Sequence, residues 1–438
     1  MENFYRLWTT QLDDFLKGYI YSEKGRINLK REAFTGYQEL LKRFFSGKIK
    51  EIEKINLLAG IRGVGKTTLL AQLFYTAKNL RGGGEPVFLD VSRLSAEKIS
   101  LKEFFDYYAK IKNFHWETLT QKTAFFLDEV HYDPDWGLFL KNLFDRTKAH
   151  RNLLVLATGS SALKIKLNPD LSRRSLVKEI YPLVFSEYLS LKNGLTVPLG
   201  LSKKLADEIL SGRTAEATYR AVKARQGAVN RFFSRLPAEA ESGFFESGGF
   251  PFVIKSRYER RLARELILGV IEKLIAKDIL ELRRFNAETI AKIYDILYLI
   301  AVSDTTDYAK LCTAVRLDYR SARAVIEALV KSGILFNVKA YGAKFVKVRK
   351  PAKLLFISPS LRVSLLKGIL PPEIKGKLLE DYSALVFKKN FNGEVGYDSA
   401  AAGADFVLRG KTVKKRLSRL GSGLKPMGLN RSGGRQKN

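Results

Sequence analysis

Residues 55–74, "INLLAGIRGVGKTTLLAQLF", join a short apolar run to a helical pattern through a loop with three glycines. The spacing G-x-x-x-x-G-K-T in this loop is filled by Gly60, Gly65, Lys66 and Thr67. Because glycine has no side chain, backbone N–H groups can close around phosphate oxygens at the positive end of the following helix. The stretch therefore predicts a strand, a phosphate-binding loop and a helix of an α/β fold.

The same loop predicts ATP as ligand and magnesium as its cation. In a loop of this kind Lys66 reaches the β- and γ-phosphates, and the Thr67 hydroxyl ligates magnesium. The alternative is a structural glycine turn. The apolar strand before the loop and the helical spacing after it favour the nucleotide site.

A second strand ends in two acids. The segment "KTAFFLDEVHYDPDW", 122–136, predicts a buried parallel strand followed by Asp128 and Glu129. Open α/β sheets bind ligands at the carboxyl ends of their strands. We expect Asp128 to hold the magnesium water shell and Glu129 to orient or deprotonate the attacking water. The alternative is a strand that simply meets solvent in two acids.

A third buried strand, "NLLVLATGSS" at 152–161, ends in hydroxyl groups. Thr158, Ser160 or Ser161 could sense the γ-phosphate, or these side chains could cap a turn. The sequence does not distinguish the two.

These segments, in this order, resemble the archaeal and bacterial P-loop ATPases of the AAA-related, STAND-like branch, which often carry a C-terminal nuclease-like domain. The matching stretches are "GIRGVGKTTLL", "FFLDEVHYDPDWGLFLKNLFD", "VLATGSSALKI", "LSRRSLVKEIYPLVFSEYLSL" and "ESGGFPFVIKS". They extend from Gly60 to about Ser256, and a weaker likeness continues to Leu408. The resemblance implies an α/β P-loop NTPase fold with an AAA-like parallel sheet.

The resemblance also implies roles for individual residues. Nucleotide contacts fall on Gly60, Gly63, Val64, Gly65, Lys66, Thr67 and Thr68. The binding of magnesium and of the attacking water is assigned to Thr67, Asp128 and Glu129. Arg173 or Arg174 would approach the γ-phosphate as an arginine finger, whose fixed charge stabilises the transition state. The alternative is a solvated basic turn, and a finger acting in trans would require a homo-oligomer.

"DEVH" also resembles the acid box of nucleic-acid helicases. No second RecA-like unit follows it, because from Leu191 onward the pattern turns to charged amphipathic helices. The core is therefore assigned to residues 46–190, after an N-terminal helical segment at 1–45. A helical lid is expected at 191–285.

Residues 286–365 predict a winged-helix domain, with two helices followed by an alternating hairpin. Its exposed cations, Arg320, Arg323, Lys344 and Lys347, would contact phosphates of double-stranded DNA. The alternative is a winged helix used for protein packing.

Residues 366–408 resemble the start of a restriction-endonuclease-like fold, with Glu380 and Asp405 as the first acids of a metal site. Such a site also needs a second acid and a lysine, spaced E-x-K. After Asp405 the sequence contains no Asp or Glu, so no nuclease activity is predicted. Residues 409–438 are predicted to be disordered, either as a basic tail for polyanions or as the product of a shifted reading frame.

Composition restricts the compartment and the partners. The 76 Lys and Arg residues against 45 Asp and Glu leave a net charge of +31, which attracts polyanions. The single cysteine, Cys312, excludes an intramolecular disulfide and favours a reducing compartment. The N-terminus lacks signal-peptide features, and no apolar run approaches the roughly 18–20 residues of a spanning helix. We expect a cytoplasmic protein with no membrane partner.

Two classes of function remain. The first is a magnesium-dependent ATP hydrolase that acts as a nucleotide switch in association with DNA. The second is a non-enzymatic DNA-binding or regulatory module that holds ATP without useful turnover.

Overall fold

The structure is a computed structural model of the 438-residue chain. It describes residues 1–21, 25, 28–80, 84–159, 169–198, 200–211, 214–256, 259–280, 285–302, 308–342, 350–400, 403–410 and 414–417.

A five-stranded parallel sheet forms the centre of the N-terminal half. Its strands are β1 (Ile55–Ala59), β2 (Glu85–Asp90), β3 (Thr123–Asp128), β4 (Leu153–Gly159) and β5 (Leu176–Glu179). Their order across the sheet is β2-β3-β4-β1-β5. The strands β1, β3 and β4 are buried along their whole length, which explains their continuous apolar sequences. The predicted α/β class with a parallel sheet is confirmed.

Among the described residues, six helices surround this sheet. They are α1 (Glu2–Ile20), α2 (Glu32–Phe45), α3 (Lys66–Lys78), α4 (Val91–Ala96), α5 (Leu101–Ile111) and α6 (Trp136–Arg146). The first helix packs on the sheet, because the Trp8 indole Nε1 donates to the Phe88 carbonyl at 2.8 Å. The Arg93 guanidinium lies 4.5 Å from the Phe15 ring centroid and joins α1 to α4. The N-terminal helical segment therefore belongs to the same hydrophobic core as the parallel sheet.

A series of helices follows the sheet; the assignment of 191–285 as a lid stays a prediction. They are α7 (Phe185–Asn193), α8 (Leu201–Ser211), α9 (Ala215–Ala224), α10 (Gln226–Phe233), α11 (Ala240–Ser247), α12 (Pro251–Ser256) and α13 (Arg260–Lys273), which continues as a π-helical turn at Leu274–Ile279. Tyr188, Phe232 and Phe244 belong to a small apolar cluster of their own beside α7.

The C-terminal half combines helices with a second sheet. Its helices are α14 (Ala287–Ala291), α15 (Ile293–Val302), α16 (Tyr308–Val315), α17 (Tyr319–Lys331), α18 (Pro359–Leu365) and α19 (Ile374–Asn390). Its strands are β6 (Leu335–Ala340), β7 (Lys353–Phe356), β8 (Glu394–Tyr397), β9 (Phe406–Arg409) and β10 (Lys414–Leu417), in the order β10-β9-β8-β6-β7.

This second sheet crosses the predicted boundary between residues 365 and 366. The strands β6 and β8 pair in parallel through Lys339 with Gly396 and Ala340 with Tyr397. The other neighbouring strands pair antiparallel. The segments predicted as two separate domains therefore share one sheet.

The strand β10 lies in the region predicted to be disordered. It pairs antiparallel with β9, with Lys414 opposite Arg409. An open strand edge exposes unpaired N–H and C=O groups, and this pairing satisfies them. For Lys414–Leu417 the structure therefore differs from the prediction, while 418–438 lie outside the described residues. The choice between a basic tail and a shifted frame stays a prediction.

Among the residues that the structure describes, every helix is too short or too polar to cross a bilayer.

Candidate functional site

The phosphate-binding loop runs from the end of β1 to the start of α3. Gly65 precedes the first turn of α3 with a φ of 90°, in the left-handed region that favours glycine. Lys66 is only 4% exposed, and its Nζ donates to the carbonyls of Gly60 at 3.0 Å and Ile61 at 3.1 Å. The lysine therefore bonds to carbonyl groups of its own loop. Val64 is fully buried, whereas Thr67 and Thr68 are half-buried.

Helix α12 contacts this loop directly. Gly63 has a φ of 79°, and a Cβ placed there would lie 2.7 Å from Cε1 of Phe252 on α12. A Cβ on Gly65 would lie 3.4 Å from Cγ of Pro251. The loop thus needs glycine at residue 63 for its backbone conformation and for the close approach of Phe252.

Asp128 lies at the carboxyl end of β3 and is 3% exposed. Its carboxylate accepts hydrogen bonds from the hydroxyl groups of Thr158 on β4 and Thr67 on α3. Burial, followed by the neighbouring charge of Glu129, raises the pKa of Asp128 to about 7. Asp90, at the end of β2, is the register partner of Asp128. The sheet therefore brings Thr67, Asp128 and Thr158 together at one edge.

Glu129 follows with a φ of 55° and a ψ of 45°, an uncommon conformation for a residue with a side chain. Its backbone N–H donates to Thr158 Oγ1 at 3.0 Å, and its Oε2 lies 3.4 Å from His131 Nε2. The Glu129 side chain is 20% exposed. Thr158 bonds to both acidic residues, while Ser160 and Ser161 lie outside the described residues.

The oxygen atoms of Thr67 and Asp128 are suitable ligands for magnesium. The ion prefers hard oxygen ligands, and Thr67 and Asp128 supply a hydroxyl and a carboxylate that already contact each other. The raised pKa of Asp128 reflects a buried carboxyl group next to a second acid, where a cation would stabilise the ionised form.

The two candidate finger arginines lie beyond β4 in the turn before β5. Arg174 Nε donates to Asp145 Oδ1 of α6 at 2.7 Å, and Arg173 is exposed. The Arg174 guanidinium is thus held against α6 in this conformation. The role of Arg173 or Arg174 as an arginine finger stays a prediction.

Sequence reasoning missed Arg31, which contacts the loop from the residue before α2. Its Nη1 donates to the Val64 carbonyl at 2.7 Å and its Nη2 to the Tyr181 carbonyl at 2.9 Å. It also pairs with Glu187 of α7 at 3.1 Å, and Lys389 of α19 reaches the same carboxylate at 3.0 Å. The available sequence signal was a single charged residue beside an amphipathic helix.

Acid titration is expected to weaken the fold through Glu187. Burial alone would raise its pKa, but Arg31 and Lys389 outweigh burial and lower it from the ordinary 4.5 to about 2. Its stabilising contribution is therefore complete above about pH 4.5 and is lost as the pH falls toward 2. From the size of this pKa change, the contribution is roughly 3 kcal/mol. Chemical denaturation of wild type and Glu187→Gln should show a stability difference that shrinks between pH 6 and pH 3, and a constant difference would contradict this assignment.

The candidate DNA-contacting residues are only partly described. Arg320 is exposed on α17, and Arg323 on the same helix pairs with Glu327 at 2.9 Å. The Asp318 side chain accepts a hydrogen bond from the Ser321 N–H and so caps α17. Lys344 and Lys347 lie outside the described residues.

Glu380 and Asp405, the two acids predicted from the nuclease resemblance, meet around Lys353, which the sequence did not connect with them. Lys353 Nζ, at the start of β7, lies 3.2 Å from Glu380 Oε1 and 3.1 Å from Asp405 Oδ1. Burial raises the pKa of Glu380, with the nearby charge of Asp405 adding to the effect while Lys353 opposes it. Within the described residues no group of three acids, histidines or cysteines is placed to hold a metal. The predicted lack of nuclease activity stays a prediction.

Comparison with protein families matches two parts of the chain. Residues 52–189 match the AAA domain, and residues 244–369 match a domain of unknown function (DUF8612). The first match covers the parallel sheet and the phosphate loop, so this region is similar to AAA domains.

Individual proteins are similar over most of the chain. An uncharacterized protein of Methanocaldococcus jannaschii is 29% identical over 427 residues, which cover 95% of this chain and 86% of that protein. A Walker-type ATPase of Pyrococcus abyssi is 18% identical, and the match covers 79% of this chain and 97% of that protein with a TM-score of 0.41. RuvB of Thermotoga maritima is 13% identical, covers 78% of this chain and 96% of its own, and has a TM-score of 0.35.

Proposed function

We propose that this protein binds ATP with magnesium and hydrolyses it, using the nucleotide state as a switch. The observation that carries the proposal is the meeting of the phosphate loop with two acids at one sheet edge. The loop supplies Lys66 and Thr67, and the strand ends supply Asp128 and Glu129.

Each side chain has a role that follows from its chemistry. Lys66 leaves the carbonyls of Gly60 and Ile61 to bind the phosphate oxygens, because its ammonium group prefers the higher negative charge. Thr67 and Asp128 hold magnesium, which when bound neutralises charge on the phosphates. Glu129 orients the attacking water and takes its proton. Arg173 or Arg174 supplies a further cation in the transition state, from the same chain or from a second copy in an assembly.

The direct test compares wild type with Lys66→Ala in MgATP binding by calorimetry and in phosphate release. We expect wild type to bind and turn over ATP and the variant to lose binding. A second outcome is that wild type binds MgATP but releases phosphate no faster than Lys66→Ala. That outcome would favour the alternative of a regulatory module that holds ATP without useful turnover. Failure of wild type to bind MgATP would refute both.

We further propose that residues 286–365 form a winged-helix unit that contacts double-stranded DNA. The support is the pair α16 and α17 followed by the antiparallel strands β6 and β7, together with the exposed Arg320. Phosphate contacts of this kind would position DNA without reading its sequence.

Duplex binding is expected to weaken as salt rises, because phosphate contacts release counterions. Replacing Arg320, Arg323, Lys344 and Lys347 together with alanine should flatten the dependence of log affinity on log salt. The slope should fall by roughly 0.9 for each DNA phosphate that the protein no longer neutralises. Fluorescence anisotropy with a labelled duplex measures this slope.

The matched control for this experiment replaces four exposed cations of the ATPase core, Lys98, Lys102, Lys110 and Lys148. This control should keep the wild-type slope. If wild type binds no duplex even at low salt, the unit is a protein-packing module instead.

A further inference from the structure

A run of alternating charges, buried at Arg31 and Glu187 and partly buried at Lys389, extends from the phosphate loop to helix α19. At its first end, Arg31 is 9% exposed and donates to the Val64 carbonyl between the two loop glycines at 63 and 65. The same guanidinium forms two hydrogen bonds with Glu187, at 3.3 and 3.1 Å. A single side chain therefore fixes both a carbonyl of the loop and the first turn of α7.

Glu187 forms the middle of the run. It is 8% exposed, and its carboxylate also accepts from the backbone N–H groups of Glu32 at 3.4 Å and Val184 at 3.3 Å. Its position is thus determined by α2, α7 and the charges on either side. A buried carboxylate keeps its charge only while its partners stay in place.

Lys389, in the last turn of α19, forms the far end. Its Nζ donates to Glu187 Oε2 at 3.0 Å and to Glu32 Oε2 at 2.9 Å, and its side chain is 16% exposed. Removing Lys389 would leave Glu187 with Arg31 as its remaining cationic partner among these three. The arginine would then be drawn toward the carboxylate and away from the Val64 carbonyl, since the charged acceptor is the stronger one.

The phosphate loop is sensitive to such a displacement. Its amides bind phosphate only in one backbone arrangement, and the Val64 carbonyl belongs to the segment that carries them. In the present conformation Lys66 bonds to carbonyls of the loop, so ATP binding requires a rearrangement next to Val64.

We infer that Arg31 is a positioning residue of the phosphate loop and that Lys389 sets its position through Glu187, so that ATP affinity is coupled to the docking of α19. The inference rests on the proposed ATP binding. Because coupling between two sites is reciprocal, bound MgATP stabilises the docked end of α19 by the same factor by which docking strengthens ATP binding.

The test measures MgATP dissociation constants of the full chain by calorimetry. Lys389→Met is expected to raise the dissociation constant about 10-fold, within the range usual for coupled sites. The control Lys375→Met removes the same charge from an exposed position of α19 and should bind like wild type. In turnover, Lys389→Met should raise KM and leave kcat nearly unchanged, because it weakens binding of the ground state and the transition state equally.

A second variant covers the case in which Lys389→Met does not fold. Arg31→Lys keeps the charge beside Glu187, but an ammonium group cannot hold the carboxylate and both carbonyls in the same planar geometry. It should also weaken ATP binding, whereas Lys389→Arg should retain most of the affinity. Hydrogen exchange at 386–390 in wild type should slow when MgATP is added.

The outcomes separate this inference from the proposed function. If wild type binds no MgATP, ATP binding itself is refuted. If wild type binds and the folded Lys389→Met and Arg31→Lys variants bind equally well, the coupling is overturned and the ATP-binding proposal stands.

Discussion

Glu129→Gln is expected to lower the steady-state rate of phosphate release by about 10²–10⁴-fold while MgATP stays bound. The amide has nearly the same shape as the carboxylate but cannot accept the proton of the attacking water. The change leaves the backbone N–H of Glu129 bonded to Thr158 and leaves Asp128 in place. The loss should therefore fall on kcat, with little change in nucleotide affinity.

A coupled phosphate-release assay measures the rate, and calorimetry measures MgATP affinity in the same preparations. Glu39→Gln is the matched control, because it makes the same chemical change on the exposed surface of α2. Its rate should equal that of wild type. A Glu129→Gln protein that turns over at the wild-type rate would show that another group activates the water.

The parallel sheet of the N-terminal half could be predicted because its signals are local. The strands β1, β3 and β4 are buried on both faces, so the sequence of each is a continuous apolar run. The phosphate loop is fixed by backbone requirements, which need glycine at specific positions such as Gly63. The polar ends of β3 and β4 could be placed near each other because parallel strands end at the same edge.

The contacts that sequence reasoning missed are long-range. Arg31 is 33 residues from Val64, and Lys389 is 202 residues from Glu187. No periodicity relates such positions, and a single Lys or Arg looks the same in sequence whether it is buried or solvated. Lys353 was missed for the same reason, since it reaches Asp405 from 52 residues away.

The domain boundary in the C-terminal half could not be predicted from the sequence, because it depends on which strands pair. The sequence shows that β6 and β8 are separate runs, but it does not show that they pair in one sheet across α18 and α19. The open edge of β9 likewise predicted an unpaired strand, whereas β10 pairs with it from a basic segment without apolar alternation. Backbone hydrogen bonding, which every residue type except proline can supply in full, decides these two pairings.

The C-terminal half depends on one buried arginine. Arg362 on α18 is 1% exposed, and its Nε and Nη2 donate to the Asp381 carboxylate at 2.6 and 2.9 Å. Its Nη1 donates to the carbonyls of Ile300 at 3.1 Å and Ala301 at 2.6 Å, at the end of α15. Three helices are thus held by one guanidinium, and Asp381 is fully buried.

Arg362→Met is expected to reduce the free energy of unfolding by about 3–5 kcal/mol, because it leaves the helix-end carbonyls and the buried Asp381 carboxylate without the guanidinium. Asp381 also accepts from the Phe356 N–H at 2.8 Å, but that neutral donor does not compensate the buried charge. Equilibrium urea denaturation followed by circular dichroism measures the loss. The exposed pair of Arg261 with Glu265 provides the control, since Arg261→Met should leave stability almost unchanged. Adding Asp381→Leu to Arg362→Met should restore much of the loss by removing the uncompensated charge. If the double variant is as unstable as Arg362→Met, the lost stability comes from the helix-end carbonyls, packing and the Phe356 N–H rather than from the uncompensated charge.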